Sequence, residues 1–259
     1  MKKTLALFAA LLAFLPAFSQ EPELLTNPEV VEDDILLRTG AEVEYYVLPS
    51  LYLTLDQELR FKENVSTFDR SYTTLSATYK VNPYFKVGAA YRFMAINHDG
   101  KKSTGFEKYW DIRNRAYLSF IGQAHLGRWK VSLRERPVAT WRTGEFNPKE
   151  KVNPELELRS KAEVSYKFFS KPLMPYISYE LCNTLNHSPY ISGNYICGNR
   201  YEAGLKWRLT QELALDFFYR YDVGRNYDID INKKETKVEM TPESSSIHNF
   251  GVYLDVAFK

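Results

Sequence analysis

The stretch LYLTLDQELRFK, residues 51–62, decides the fold class. Its leucines and Phe61 occupy alternate positions, and mostly polar or charged side chains occupy the positions between them. Because successive side chains of a β-strand point to opposite faces, this stretch predicts a strand with one apolar face and one charged face. A helix would spread the same residues over all of its sides.

The same alternation recurs along the chain in segments of about 10 to 14 residues, longer than ordinary strands of soluble proteins. The segments number eleven and begin near Ile35, Ser50, Arg70, Tyr84, Tyr109, Arg128, Glu155, Pro175, Arg200, Gln211 and Ile247. Single-chain bacterial barrels have even strand numbers, so one strand would be missed or split. We therefore predict an all-β fold, a transmembrane up-and-down antiparallel β-barrel of twelve strands, with ten as the next choice.

The predicted connections alternate between short and long. This alternation in length is a second pattern, independent of the hydropathy of the strands. Short turns fall at 48–50, 81–83, 121–127, 170–174 and 209–211. Longer polar stretches fall between them, at 64–69, 97–108, 144–154, 183–199 and 223–246. Tight turns at one rim and long loops at the other are typical of outer-membrane barrels.

The N-terminus has the pattern of a secretory signal peptide over residues 1–19, with basic Lys2 and Lys3, an apolar run, and small residues before a cleavage site. An acidic segment, 20–34, would follow, and the barrel would occupy 35–259. Loss of the two lysines would leave 32 basic and 32 acidic residues, so net charge gives no support for nucleic-acid binding.

Aromatic residues favour a membrane over a soluble core. Ten of them fall on the apolar faces near predicted strand ends, as interfacial girdles do: Tyr45, Phe61, Tyr79, Phe93, Trp110, Trp129, Trp141, Tyr166, Trp207 and Tyr221. The spaced residues Gly251, Leu254, Val256 and Phe258 resemble the C-terminal signal read by the barrel-assembly machinery, although the chain ends in Lys259. A secreted β-sandwich or lipocalin-like binder is the soluble alternative.

The charged faces predict the lumen. Carboxylates lie on the first two strands and arginines mainly on strands five to seven, so the two groups would face each other across a narrow interior. The predicted charge network comprises Glu42, Glu44, Asp56, Glu58, Arg60, Arg113, Arg115, Arg134, Arg136 and Arg159. It would either brace the barrel through ion pairs or form a charged constriction that passes small solutes or ions.

The two cysteines, Cys182 and Cys197, flank a stretch rich in Asn, Ser, Pro and Gly. Export would permit a disulfide between them at the base of a hairpin loop. Two unrelated thiols remain the alternative, and a metal site is disfavoured because only His187 lies nearby.

Several motifs resemble a known family. They include the run FDRSYTTL at 68–75, the run PYFKVG at 83–88, and the R-x-R pairs at Arg113/Arg115 and Arg134/Arg136. These resemble a family of uncharacterised outer-membrane β-barrel proteins of Gram-negative bacteria with a domain of unknown function. The resemblance covers roughly Ile35 to Lys259 and implies an outer-membrane location, but it supplies no catalytic residues.

We expect no enzyme activity, cofactor or metal. Ser246 and His248 would share one strand face, the arrangement that an envelope-lipid esterase could use, but no third group is placed beside them. Acidic residues in the last long stretch, such as Asp228 and Glu243, could bind a divalent cation, although solvated loop charge is favoured. Polar loops would contact outer-membrane lipid and lipopolysaccharide.

Overall fold

The computed structural model describes residues 29–98, 109–143, 152–168, 171–186, 195–232 and 237–258. Within strands, the side chains of 29–34, 98, 195, 225–232 and 237–244 fall outside this description. The predicted signal peptide and residues 20–28 of the acidic segment also lie outside it. The last residues of the acidic segment, 29–34, belong to the first strand. That strand therefore begins six residues before the predicted boundary at residue 35.

Eleven β-strands make up almost all of the described chain. They are β1 (Glu29–Leu48), β2 (Leu51–Lys62), β3 (Thr67–Asn82), β4 (Phe85–His98), β5 (Tyr109–Leu126), β6 (Trp129–Arg142), β7 (Glu155–Tyr166), β8 (Leu173–Thr184), β9 (Tyr195–Arg208), β10 (Leu213–Asn232) and β11 (Lys237–Phe258). None of the described residues belongs to a helix long and apolar enough to cross a membrane.

The strands form one closed barrel, which confirms the predicted fold class. Neighbours in the sequence pair antiparallel, whereas β1 and β11 pair parallel, with Val43 opposite Val256. A barrel closed by one parallel pair can hold an odd number of strands. The structure has eleven strands, the same number as the alternating segments in the sequence. The even-number rule, which led to the prediction of twelve or ten strands, does not apply to a barrel closed in this way.

The two rims differ less than the sequence predicts. Residues 223–246, predicted as a long loop, instead belong largely to β10 and β11, which pair as far as Asn232 opposite Lys237. Residues 63–66 form a tight turn between β2 and β3, in which Glu63, Asn64 and Val65 have positive φ. The β4–β5, β6–β7 and β8–β9 connections remain longer than any turn at the opposite rim.

The outer face of the barrel is apolar and the inner face is polar. Among the described residues, 32 large hydrophobic side chains are exposed and only seven are buried. Buried polar or charged side chains are more numerous, and they include Arg38, Glu58 and Glu202. Glu135 departs from the pattern, because it lies opposite Phe120 on the outer face, where its carboxylate accepts a hydrogen bond from Ser160 Oγ at 2.6 Å.

Candidate functional site

The barrel lumen is the main candidate site. It contains a cavity of about 500 Å³ whose lining is mostly polar. Small inward residues on β3, β4 and β5 leave this space: Ser76, Thr78, Gly88, Ala90 and Ser119. Larger basic and acidic side chains, some of them on the same three strands, surround the remainder. The cavity therefore lies where these five inward positions contribute little side-chain volume.

All ten residues of the predicted charge network line this cavity: Glu42, Glu44, Asp56, Glu58, Arg60, Arg113, Arg115, Arg134, Arg136 and Arg159. Alternation predicts a shared face for these residues because it depends only on which side of a strand a residue occupies.

Several of these residues form ion pairs within their own strand or with nearby strands, rather than across the lumen as the sequence predicts. Arg60 pairs with Glu58 on its own strand, and Arg159 pairs with Glu157 at 2.5 Å in the same way. Residues i and i+2 of a strand share a face, so these partners lie within reach without crossing the lumen. Asp56 of the acidic group binds Arg92 on β4 at 3.4 Å rather than an arginine of strands five to seven.

A second set of ion pairs links the strands from β6 to β10, in two cases across an intervening strand. Glu180 accepts hydrogen bonds from Arg134 at 2.9 Å and from Arg200 at 2.6 Å. Glu202 accepts from Lys161 at 3.2 Å and from Arg220. Because each carboxylate is shared by two cations on different strands, these contacts hold the strands in register from inside.

Four of these residues were missed by sequence reasoning: Glu180, Arg200, Glu202 and Arg220. They occupy inward positions on β8, β9 and β10, between outward aromatic or apolar residues such as Tyr179 and Tyr201. The alternation already present in these strands was the signal that could have identified them.

Two arginines differ from the rest of the lumen. Arg115 and Arg136 make no ion pair with any residue that the structure describes, although both line the cavity. Arg115 Nε donates to Thr140 Oγ1 at 2.9 Å, and Arg136 Nε donates to Ser119 Oγ at 3.3 Å. The Arg136 guanidinium also lies over the ring of Tyr117, with Cζ 4.2 Å from the ring centroid. Both side chains are thus held in place by neutral groups.

A second cavity, of about 400 Å³, lies at the short-turn rim. Its lining includes His125, Arg128, Lys130 and Lys167. Three cations, Arg128, Lys130 and Lys167, therefore lie at this rim beside β5, β6 and β7.

Both cysteines are free thiols in the structure, without the disulfide that the sequence allows. Cys182 lies opposite Gly198, and the pairing shifts at the next residue, where Asn183 faces Ile196. Cys197 is therefore the extra residue of a β-bulge and has no direct cross-strand partner. The two cysteines belong to the paired strands β8 and β9 rather than to the base of a loop.

Ser246 and His248 do not hydrogen-bond to each other in the described structure. Tyr221 Oη donates to Ser246 Oγ at 3.1 Å, and Tyr219 Oη lies 2.7 Å from His248 Nδ1. Within the described ranges, no group of three His, Cys, Asp or Glu residues could hold a metal ion. The acidic side chains of 228–243, considered for a divalent cation, lie outside the described residues.

Comparison with known proteins shows the family to which the chain belongs. Residues 39–231 match the family described as "Protein of unknown function (DUF2490)". No curated protein matches the chain. A solved structure, "Outer-membrane expressed OmpT of Vibrio cholerae", is similar at 13% identity with a TM-score of 0.41. The match covers 78% of this chain and 62% of that one, less than two thirds of its length.

Proposed function

We propose, from the premise that this chain belongs to the DUF2490 family, that it is an outer-membrane β-barrel of a Gram-negative bacterium. In this proposal its charged lumen is braced by ion pairs and retains a narrow polar passage for small solutes or ions. The role is structural and permeability-related rather than enzymatic, and no cofactor takes part.

The positions of the four tryptophans carry the membrane assignment. All four are 39% to 53% exposed, and each lies within two residues of a strand end. Trp110 and Trp141 lie at the rim of the longer loops, whereas Trp129 and Trp207 lie at the short-turn rim. Indole rings concentrate at both membrane–water interfaces, so two at each rim are expected of a barrel that spans a bilayer.

The remaining outer surface supports the same proposal. Exposed leucine, isoleucine and phenylalanine side chains such as Leu55, Leu75 and Ile177 lie between the rims. In water so much exposed apolar surface would favour aggregation, whereas acyl chains would cover it. The shortest strands have 12 residues, and a tilted strand needs about 9 to 11 to cross a bilayer.

The lumen supports a narrow passage rather than a wide channel. Inward side chains fill most of the interior, and the described cavity of about 500 Å³ is far smaller than the aqueous channel of a 16-stranded porin. The shared carboxylates Glu180 and Glu202 brace the wall opposite the small residues of β3 and β4. We therefore assign the ion pairs to stability and the cavity to solute access.

Export and assembly complete the proposal. Residues 1–19 would direct the chain across the inner membrane, and the C-terminal strand ending in Phe258 would be read by the barrel-assembly machinery. Outer-membrane lipid and lipopolysaccharide would be the surrounding partners, contacted by the apolar wall and the polar loops.

Electrophoresis and fractionation test the membrane assignment. We expect the protein in the outer-membrane fraction and expect unheated samples to migrate faster than boiled ones on a denaturing gel, because a closed barrel resists detergent. Identical migration of both samples, together with recovery from the soluble fraction, would establish the secreted binder instead. Planar bilayers then test the passage: small conductance steps in KCl support it, and their absence from correctly folded protein excludes it.

A further inference from the structure

We propose that the lumen wall formed by β4, β5 and β6 binds a small oxyanion, of the phosphate or carboxylate class, at Arg115 and Arg136. The inference rests on the proposed function in that it requires a folded barrel with a lumen open to small solutes. It goes further because it identifies both the site and the chemistry of the ligand.

The first observation is the charge balance of the cavity. Twelve basic side chains line it against six acidic ones. Ten of the twelve form an ion pair within 4.0 Å, namely Arg38, Arg60, Arg70, Arg92, Arg113, Arg134, Arg159, Lys161, Arg200 and Arg220. Of these twelve cavity-lining cations, only Arg115 and Arg136 have no carboxylate within 4.0 Å among the described residues. The two arginines of this cavity that lack an ion pair thus lie on the neighbouring strands β5 and β6.

The second observation is how these two arginines are held. Arg115 on β5 bonds through Nε to Thr140 on β6, and Arg136 on β6 bonds through Nε to Ser119 on β5. In the described structure neither guanidinium uses its terminal nitrogens in a hydrogen bond. A guanidinium fixed through Nε can present both terminal nitrogens to a planar or tetrahedral oxyanion in a bidentate contact.

The third observation is the placement of like charges. Arg115 lies directly opposite Arg92, and Arg136 lies directly opposite Arg159. Like charges in direct cross-strand pairs destabilise a sheet, more so away from bulk water. Arg92 and Arg159 have their own carboxylates, whereas Arg115 and Arg136 do not. A bound anion would supply the missing negative charge.

The fourth observation is space and access. Tyr117 lies two residues from Arg115 on β5, beneath the Arg136 guanidinium, and the small residues Ala90 and Ser119 adjoin it. The cavity volume of about 500 Å³ falls within the usual range for small-molecule sites, about 300 to 1,000 Å³. Basic residues at the short-turn mouth, including Lys130, would draw anions toward the site.

Calorimetric titration with inorganic phosphate tests the site directly. The full barrel, purified in detergent without phosphate, is compared with Arg115→Gln and Arg136→Gln. The matched control is Lys161→Gln, which removes one positive charge from the same cavity but leaves Glu202 paired with Arg220. We expect each arginine variant to weaken phosphate binding about tenfold or more, as loss of a charge-assisted bond does, and the control to change it less than about threefold.

Stability separates a binding role from a bracing role. Removing an uncompensated charge should not lower the melting temperature of Arg115→Gln in phosphate-free buffer, while phosphate should raise the melting temperature of the wild type more than that of the variant. Arg115→Lys retains the charge and should keep part of the binding, and it replaces the glutamine variant if that fails to fold. Equal phosphate binding by all variants, or none by the folded wild type, overturns the oxyanion site.

The oxyanion site and the passage can fail separately. Phosphate binding without conductance supports the site and removes the passage. Conductance without phosphate binding removes the site and leaves the passage.

Discussion

Arg38 Nε on the first strand lies 2.8 Å from Asn249 Oδ1 on the last strand, so a buried side-chain hydrogen bond reinforces the parallel pair that closes the barrel. Asn249 is 0% exposed. Its Nδ2 also donates to Asp222 Oδ2 at 3.2 Å, and Arg38 forms an ion pair with the same oxygen at 3.0 Å. The three side chains connect β1, β10 and β11 from inside.

Asn249→Ala should destabilise the barrel by about 1–3 kcal/mol, because it leaves the buried Arg38 Nε without its acceptor and removes one of the donors to Asp222 Oδ2. The free energy of unfolding, measured in urea from liposomes or detergent, would show this loss. Asn114→Ala is the control, since Asn114 accepts a hydrogen bond from Tyr91 on the outer face and should cost less. Equal stability of the two variants would contradict a structural role for the Arg38–Asn249 contact.

The parallel closure can be tested by crosslinking. After Cys182 and Cys197 are replaced by serine, a disulfide should form between Val43→Cys and Val256→Cys, which are direct partners in the parallel register. The bond should keep the boiled, unreduced chain in a compact, faster-migrating form. Leu254 lies two residues before Val256 on the same strand face and is the direct partner of Ala41. The combination of Val43→Cys with Leu254→Cys should therefore crosslink poorly. The reverse preference would require a different closure.

Gly251 should tolerate no larger side chain. A Cβ at this position would overlap the ring of Phe218, so Gly251→Ala must displace the ring and should cost about 1–3 kcal/mol. The control is Gly198→Ala, whose Cβ would meet nothing closer than 3.4 Å. Adding Phe218→Leu should recover part of the loss in unfolding experiments, and no recovery would exclude the clash as its cause.

Both cysteines should remain thiols in the purified protein. Ellman's reagent should titrate two thiols per chain after denaturation without reductant, and reductant should leave gel migration unchanged. Slow reaction is expected in the folded barrel because Cys182 is buried. A titre near zero, with migration sensitive to reductant, would show that the pair is bridged.

The face of each strand residue could be predicted well from sequence. Leu53, Leu55 and Phe61 were assigned outward and Asp56 and Glu58 inward from a period of two, and the ten predicted lumen residues all line one cavity. This succeeds because side-chain alternation is a local property of an extended backbone.

Loop extents were less predictable. Residues 223–246 are polar enough to be read as a loop, yet much of this range pairs between β10 and β11. A two-stranded extension can be polar on both faces once it leaves the barrel wall, so hydropathy no longer distinguishes strand from loop. The signal peptide and the role of the acidic segment stay predictions.

The amino-acid sequence by itself determined that the chain forms long alternating strands with charges on one face and aromatic residues at the ends of the other, since these properties follow from neighbours along the backbone. Only the tertiary structure decided that β1 joins β11 in parallel, that Arg60 and Arg159 pair within their own strands, and that Arg115 and Arg136 form no ion pair with a described carboxylate. These outcomes depend on strand register around the whole ring and on the reach of each side chain, which no local pattern specifies.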